Sequence, residues 1–191
     1  MHPDDVRALL ERTGAIRSGH FRLTSGLHSD LFILCAQVEQ YPRETERLAH
    51  AMAEPFRDRG ITVVVGAAVG GIILAYEVAR ALDARAIFAE KDGAGGMVLR
   101  RGFTLRPGER ALVVEDALTT GGSVRAVLQT VRASGAEAVG VAALVDRTGG
   151  TLTFDVPLHA LLTLRAAAWP PHACPLCRAG VPLLEPKEHR R

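Results

Sequence analysis

The sequence predicts an α/β fold in which helices flank a central, mostly parallel sheet. Three short runs carry this prediction because nearly every residue in them is apolar: Ile61 to Gly66, Arg110 to Val114 and Ala138 to Val145. Unbroken apolar runs of this kind are typical of strands that are buried on both faces. Segments of about a dozen residues with helical periodicity lie among them, and such alternation indicates a parallel sheet covered by helices.

The other elements follow from apolar periodicity and from the positions of glycine and proline. The predicted helices cover Pro3 to Arg12, Tyr41 to Arg59 with Pro55 dividing it, Gly71 to Leu82, and Gly122 to Ser134. The further predicted strands are Arg85 to Ala89, Met97 to Leu105 with a turn, and His159 to Leu164. Two segments are expected to be irregular, namely the extended stretch His20 to Ala36 and the glycine-rich loop Lys91 to Gly96.

The length of 191 residues is enough for a single domain with a substantial core. We interpret residues 1–191 as such a domain, with a small hood formed mainly by residues 1–40. Composition shifts to proline, cysteine and charge near Trp169. Residues 169–191 are therefore predicted to form a cysteine-containing tail that packs on the surface.

The composition argues against several classes of protein. Hydrophobic residues make up 48% and charged residues 23%, which is ordinary for a globular domain. A net charge of +2 gives no reason to expect a nucleic-acid partner. Acidic residues interrupt the first helix, and no apolar run has the length of a membrane span. We therefore expect a cytoplasmic protein without a membrane partner.

The most informative segment is VVEDALTTGGSV, which spans Val113 to Val124. It places a glycine-rich turn between a buried strand and a helix, at the strand end where α/β sheets bind ligands. Glycine allows successive N–H groups to converge on one anion, and the start of a helix adds unpaired N–H groups. The segment therefore predicts a phosphate cradle made of Ala117, Leu118, Thr119, Thr120, Gly121, Gly122 and Ser123.

Two carboxylates, Glu115 and Asp116, precede this cradle and would repel a lone phosphate. They fit a ligand that also carries vicinal hydroxyls, a bound cation, or both. A ribose 5-phosphate has these features, with its hydroxyls on the carboxylates and its phosphate in the cradle. The plainer alternative is a strand-to-helix turn with a capping serine and solvated acids. The chain has neither G-x-x-x-x-G-K-[ST] nor G-x-G-x-x-G, so nucleoside triphosphate and dinucleotide sites are not supported.

VVEDALTTGGS resembles the signature of type I phosphoribosyltransferases, which bind phosphoribosyl pyrophosphate (PRPP). Three more segments resemble orotate phosphoribosyltransferases in particular, so that the resemblance covers nearly the whole chain. These segments are HFRLTSGLHS (His20 to Ser29), LVDR (Leu144 to Arg147), and a shortened mobile loop with the residues GG and RRGF between Lys91 and Phe103.

The resemblance implies the type I phosphoribosyltransferase fold and a homodimer. It also implies transfer of the phosphoribosyl group from PRPP to N1 of orotate, with Mg²⁺ as cofactor, in pyrimidine biosynthesis. The implied catalytic residues are Lys91, Glu115 and Asp116. The implied PRPP ligands are Lys91, Arg101, the two carboxylates and the cradle. Thr119 and Arg147 are the implied orotate ligands, and Lys91 is expected to act across the dimer interface.

The chain departs from the family pattern in two loops. The segment EKDGAGG contains Lys91 alone where the best-known members carry two lysines and a histidine. The pyrophosphate loop, Ala67 to Gly71, contains no lysine. Lys91, Arg100 and Arg101 are the candidates for neutralising pyrophosphate, although the two arginines also fit a solvated strand face. A purine phosphoribosyltransferase and a PRPP-sensing regulator without catalysis stay open as alternatives.

The tail contains a C-x-x-C motif, Cys174 to Cys177. One such pair supplies half of a zinc site. The motif is therefore a zinc candidate that would gain His172 or a second chain's pair, and it also fits a disulfide or two free thiols. His20 and His28 are expected on a polar surface, and Cys35 is expected in the core.

Overall fold

A six-stranded sheet forms the centre of the protein in the computed structural model, which describes residues 1–185. The strand order is β5-β4-β3-β6-β7-β8. Every neighbouring pair is parallel except the edge pair β4–β5. The predicted mostly parallel sheet is confirmed. Its strands are β3 (Val63–Ala67), β4 (Arg85–Lys91), β5 (Met97–Leu99), β6 (Arg110–Leu118), β7 (Glu137–Asp146) and β8 (Leu158–Thr163).

Helices cover both faces of this sheet, and all four predicted helices are present. The α-helices are α1 (Pro3–Arg12), α2 (Ala36–Glu39), α3 (Pro42–Ala53), α4 (Gly71–Leu82), α5 (Gly122–Ala133) and α6 (Pro175–Arg178). The segment expected to be divided by Pro55 changes at that point from α3 to a 3₁₀ helix, Glu54–Arg59. Proline removes a backbone donor, which accounts for the change of helix type there.

The position of strand β6 between two cores explains why its sequence is apolar without alternation. Leu112 and Val114 pack in the core shared with α3 and α4, whereas Ala111 and Val113 pack in the core shared with α5. All four side chains are fully buried. Since both faces are covered, each position must be apolar.

A second sheet forms the hood and is built from β1 (Ile16–Arg22), β2 (His28–Ile33) and β9 (Ala168–Trp169). The expectation of irregular structure over His20 to Ala36 is therefore wrong, because β1 and β2 form an antiparallel hairpin there. A register shift between Ser18 and Phe21 interrupts the period-two pattern that would have identified β1 from its sequence.

The tail packs on the surface of the hood. It continues from a 3₁₀ turn, Pro171–Ala173, through α6, and Leu184 then pairs with β1 through its backbone N–H and C=O groups. Cys174 is fully buried, whereas most of the other described tail residues are exposed. Residues 186–191 of the predicted tail lie outside the described residues. Within residues 1–185, no helix has the length and apolar character required to span a membrane.

Candidate active site

The predicted acidic pair lies at the carboxyl end of β6, in the centre of the main sheet. The strand continues to Leu118, four residues beyond its predicted end at Val114, because Glu115 to Leu118 pair with the end of β7. Glu115 and Asp116 are therefore strand residues with side chains on opposite faces. Glu115 is buried, and Asp116 is half-buried.

The predicted phosphate cradle directly follows these carboxylates. A cavity of about 50 Å³ is lined by Glu115 and by every predicted cradle residue from Ala117 to Ser123. Gly121 has a φ of +75°, and a Cβ at this position would lie 3.0 Å from Leu152. Glycine is therefore required here on both conformational and steric grounds. Gly121, the N-cap residue of α5, provides no side-chain cap, and the N–H of Gly122 donates to Thr120 Oγ1 at 3.4 Å, which leaves the next N–H groups of the helix available to an anion.

The carboxylate of Asp116 lies against the loop between β3 and α4, the predicted pyrophosphate loop. A Cβ built on Gly70 would be only 2.5 Å from Asp116 Oδ2. The same carboxylate accepts a hydrogen bond of 2.7 Å from the N–H of Ala117. The loop and the acidic pair therefore form one surface, on which a residue larger than glycine at position 70 would displace the Asp116 carboxylate.

Burial, followed by the charge of Asp116, raises the pKa of Glu115 to about 8, whereas the charge of Lys91 opposes the shift. Burial likewise raises the pKa of Glu39 to about 8, and Asp116 again adds to the effect. Glu39 Oε1 is buried without a hydrogen-bond partner among the described residues. The sequence interpretation missed Glu39, which stands alone in a short helix and carries no recognisable motif. This end of the sheet thus brings three carboxyl groups near one another, and two of them, Glu39 and Glu115, favour the protonated form.

Arg147 directly follows β7 and lines a second cavity, of about 610 Å³. Its Nε atom is buried and makes no hydrogen bond within residues 1–185. Burial lowers its pKa. The neighbouring Asp146 does not pair with Arg147, because its carboxylate accepts hydrogen bonds from Thr148 and Gly150. The other lining residues come from the hood and the cradle, and they include Leu23, Ser25, Leu27, Ile33, Thr119 and Thr120.

Comparison with known proteins identifies the family. Residues 35–158 match the family model of the phosphoribosyl transferase domain. The orotate phosphoribosyltransferase of Pelotomaculum thermopropionicum is 50% identical over 186 residues, which cover 97% of each chain. The chain belongs to the orotate phosphoribosyltransferase family.

Solved structures agree with this family at the level of the fold. The orotate phosphoribosyltransferase from Aeropyrum pernix is 25% identical with a TM-score of 0.68, over 83% of this chain and 93% of that one. The adenine phosphoribosyltransferase from Rhodothermus marinus is 28% identical with a TM-score of 0.63, over 83% and 99%. Orotate and adenine enzymes thus share the architecture, and the close sequence relative places this chain among the orotate phosphoribosyltransferases.

Three predicted cations of this family member lie around the β4–β5 hairpin. Lys91 is the exposed last residue of β4, close enough to Glu115 in the same chain to affect its pKa. Arg101 forms an ion pair with Glu90 at 3.0 Å and lies over the ring of Phe88. Arg100 is exposed. The role of each cation toward PRPP stays a prediction.

The structure places the cysteine motif beside residues that the sequence interpretation assigned elsewhere. His20 and His28 are buried, at 1% and 5% exposure, so their predicted placement on a polar surface is wrong. Both lie next to Cys174 and Cys177. The two histidines and the two cysteines are more than a hundred residues apart in the sequence. Their cluster becomes visible only when β1 pairs with β2 and the tail folds back onto this hairpin. Cys35 is in the core as predicted, and its thiol donates to the carbonyl of Asp116 at 3.6 Å.

Proposed function

We propose that this protein transfers the phosphoribosyl group of PRPP to N1 of orotate, releasing pyrophosphate and orotidine 5′-monophosphate. The observation that carries the proposal is the buried, unpartnered Nε of Arg147 in a cavity that adjoins the phosphate cradle. A buried N–H donor without a partner is costly, and the carboxylate of orotate would accept parallel hydrogen bonds from this guanidinium. Purine bases lack such a carboxylate.

The cradle and the acidic pair would bind the ribose phosphate. The backbone N–H groups from Thr119 to Ser123 would hold the 5′-phosphate, with Ala117 and Leu118 positioning them from the end of β6. Glu115 and Asp116 would accept hydrogen bonds from the ribose hydroxyls. Thr119 lines both cavities and so would lie between the phosphate and the base. These groups would fix C1 of the ribose against N1 of orotate, and such positioning is a large part of catalysis.

Catalysis also requires positive charge beside the leaving pyrophosphate. The bond from C1 to pyrophosphate breaks as the bond to N1 forms, so negative charge grows on the pyrophosphate. Lys91 is the cation best placed to neutralise it, since it is exposed and its charge acts on the nearby Glu115. Arg101 would have to leave Glu90 to contribute. Preorganised charge of this kind lowers the barrier without a protein nucleophile.

The residues present fit Mg²⁺. The ion prefers oxygen ligands and commonly binds through one or two carboxylates together with substrate phosphates. Asp116 is half-buried beside the cradle, in the same region as the unpaired carboxyl oxygen of Glu39. Mg²⁺ would be held mainly by PRPP, with Asp116 and Glu115 beside it, and would supply positive charge to the pyrophosphate.

We further propose that the protein is cytoplasmic and forms a homodimer. Ile73 and Tyr76 lie one turn apart on α4 and are 49% and 60% exposed, and Val69 in the preceding loop is 82% exposed. A second copy would remove this apolar surface from water, which supports the dimer. Size-exclusion chromatography with light scattering measures the mass in solution.

The activity is tested by following orotate absorbance after PRPP and Mg²⁺ are added to the purified protein. We expect a PRPP-dependent loss of orotate that is abolished in Asp116→Asn. Parallel reactions contain adenine or hypoxanthine in place of orotate. Consumption of a purine with no loss of orotate would support the purine alternative and contradict the proposal. Binding of PRPP with no turnover of any base would support the regulator.

A further inference from the structure

Four side chains with metal-binding atoms converge in the hood from three segments of the chain. His20 lies on β1 and His28 lies on β2. Cys174 directly precedes α6, and Cys177 lies within this helix. One atom from each residue lies within 4.8 Å of the other three. His20, His28 and Cys174 are buried, and Cys177 is exposed. Both cysteines are free thiols.

Four of the six distances between these atoms are close to the edges of a tetrahedron around zinc. Zinc binds nitrogen at about 2.0–2.1 Å and sulfur at about 2.3 Å, which gives edges of roughly 3.3 Å between nitrogens and roughly 3.6 Å between nitrogen and sulfur. His20 Nε2 and His28 Nδ1 are 3.0 Å apart. Cys177 Sγ is 3.3 Å from His28 Nδ1 and 3.7 Å from His20 Nε2, and Cys174 Sγ is 3.4 Å from His20 Nε2.

The outer hydrogen bond of His20 orients its ring toward this centre. Nδ1 lies 2.8 Å from the carbonyl oxygen of Val181, which can only accept, so Nδ1 must carry a proton. In the neutral imidazole the lone pair is then on Nε2, the atom that faces the cluster. Metal-binding histidines commonly donate their second ring N–H to a carbonyl or carboxylate in this way.

We propose that His20, His28, Cys174 and Cys177 bind one Zn²⁺ ion. Two imidazoles and two thiolates complete a four-coordinate shell, and a shell closed by protein ligands is typical of structural rather than catalytic zinc. The site explains why two histidines are buried next to a C-x-x-C motif. It involves neither His172, which is exposed, nor a cysteine pair from a second chain.

The zinc would tie the tail to the hairpin that covers the base cavity. The turn between β1 and β2 closes with a hydrogen bond of 2.8 Å from the N–H of Leu23 to the carbonyl of Leu27. Leu23 and Leu27 both line the cavity next to Arg147. His20 and His28 lie on the strands on either side of this turn, so zinc would hold its two strands together. The metal would therefore position the hood side of the base cavity, and this consequence alone depends on the proposed function.

The test measures metal directly in protein that is purified without a polyhistidine tag or a chelator. We expect elemental analysis to find about one zinc per chain in the unaltered protein. Cys177→Ser and His28→Ala should each lower this content at least tenfold. His172→Ala is the matched control, since it removes an exposed histidine beside the motif, and it should keep the zinc. Replacement with Co²⁺ should give the thiolate charge-transfer and visible bands of a tetrahedral site.

Two results would overturn the proposal, and neither depends on turnover. One is a zinc content near zero in unaltered protein grown and purified with zinc present. The other is a single reactive thiol in the denatured, unreduced protein, which would show that Cys174 and Cys177 form a disulfide. If the variants fail to fold, the zinc content and the cobalt spectrum of the unaltered chain still decide. Zinc without orotate turnover would support this site and contradict the proposed function separately.

Discussion

At the residue scale, Arg147 has an environment that the protein itself does not satisfy. Its neighbour Asp146 is occupied by Thr148 and Gly150, and the buried Nε has no partner within residues 1–185. Burial also lowers the pKa of Arg147. A ligand carboxylate would supply the missing interaction.

Arg147→Ala should raise the KM for orotate at least tenfold and leave the KM for PRPP nearly unchanged. A hydrogen-bonded charge pair contributes about 1.5–3 kcal/mol, which corresponds to roughly tenfold or more in binding. Steady-state kinetics with each substrate varied in turn measure the effect. Arg132→Ala, which removes an exposed arginine paired with Asp155, is the control. Equal losses for both substrates would contradict a role specific to orotate.

Glu39 is a second residue whose environment is unfavourable, and it makes stability depend on pH. Its pKa is raised from 4.5 to about 8, mainly by burial. Between these two values the unfolded chain loses the proton while the folded chain keeps it. Stability therefore falls as pH rises through this window, and the loss is complete above the folded pKa.

Glu39→Gln should remove this dependence, since glutamine does not ionise. The variant should be close to the unaltered protein in stability at pH 5 and more stable by roughly 2–4 kcal/mol at pH 9. Urea denaturation without ligands at both pH values measures the difference. Glu54→Gln, at an exposed site on the following 3₁₀ helix, should show no such gain. An equal difference in stability between Glu39→Gln and the unaltered protein at the two pH values would show that Glu39 is not desolvated.

At the element scale, the active site depends on how closely the loop before α4 approaches β6. Gly70 has ordinary right-handed dihedral angles, φ −59° and ψ −40°, so its backbone alone does not require glycine. The requirement comes from Asp116, whose carboxylate occupies the space of a Cβ. The loop therefore controls the position of a carboxylate that lies far from it in the sequence.

Gly70→Ala should lower kcat/KM by about 100-fold, because a displacement near 1 Å in the site is enough for such a loss. The melting temperature should change little, since alanine adopts these dihedral angles without strain. Kinetics and a thermal melt on the same preparation separate the two effects. Full activity in this variant would show that Asp116 can move without consequence.

The elements differ in how far local sequence predicted them. Gly71 to Leu82 was predicted with the bounds that the structure shows, because a glycine and a helical apolar stripe mark it. The end of β6 was placed too early, because acidic residues in a strand are read as its end unless their pairing with β7 is known. The hood hairpin was missed because the register shift in β1 breaks the alternation.

The residues of the candidate site also differ in how far local sequence predicted them. The cradle is contiguous in sequence, so its residues were predicted together from Ala117 to Ser123. The unsatisfied Arg147, the buried Glu39 and the His20–Cys174 cluster each arise from contacts between distant segments. A single sequence contains no local pattern for such contacts, and for that reason the histidines were placed on the surface.

At the scale of the whole molecule, the question is which subunit supplies Lys91. The family resemblance implies action across a dimer interface. Within one chain, Lys91 ends β4, and its charge lowers the pKa of Glu115 two strands away in the same sheet. Action across the interface stays the prediction, and action within the chain is the alternative.

Mixed dimers decide between the two arrangements. Lys91→Ala and Asp116→Asn chains carry different tags, and dimers with one chain of each are isolated on both tags. If Lys91 acts in the partner's site, one site carries both defects and the other neither, so activity approaches half of normal, which is the expected result. If Lys91 acts in its own chain, each site keeps one defect and the mixed dimer stays inactive. A dimer of unaltered and Asp116→Asn chains shows that half-activity is measurable. Full activity in Lys91→Ala alone would instead assign the pyrophosphate charge to Arg100 or Arg101.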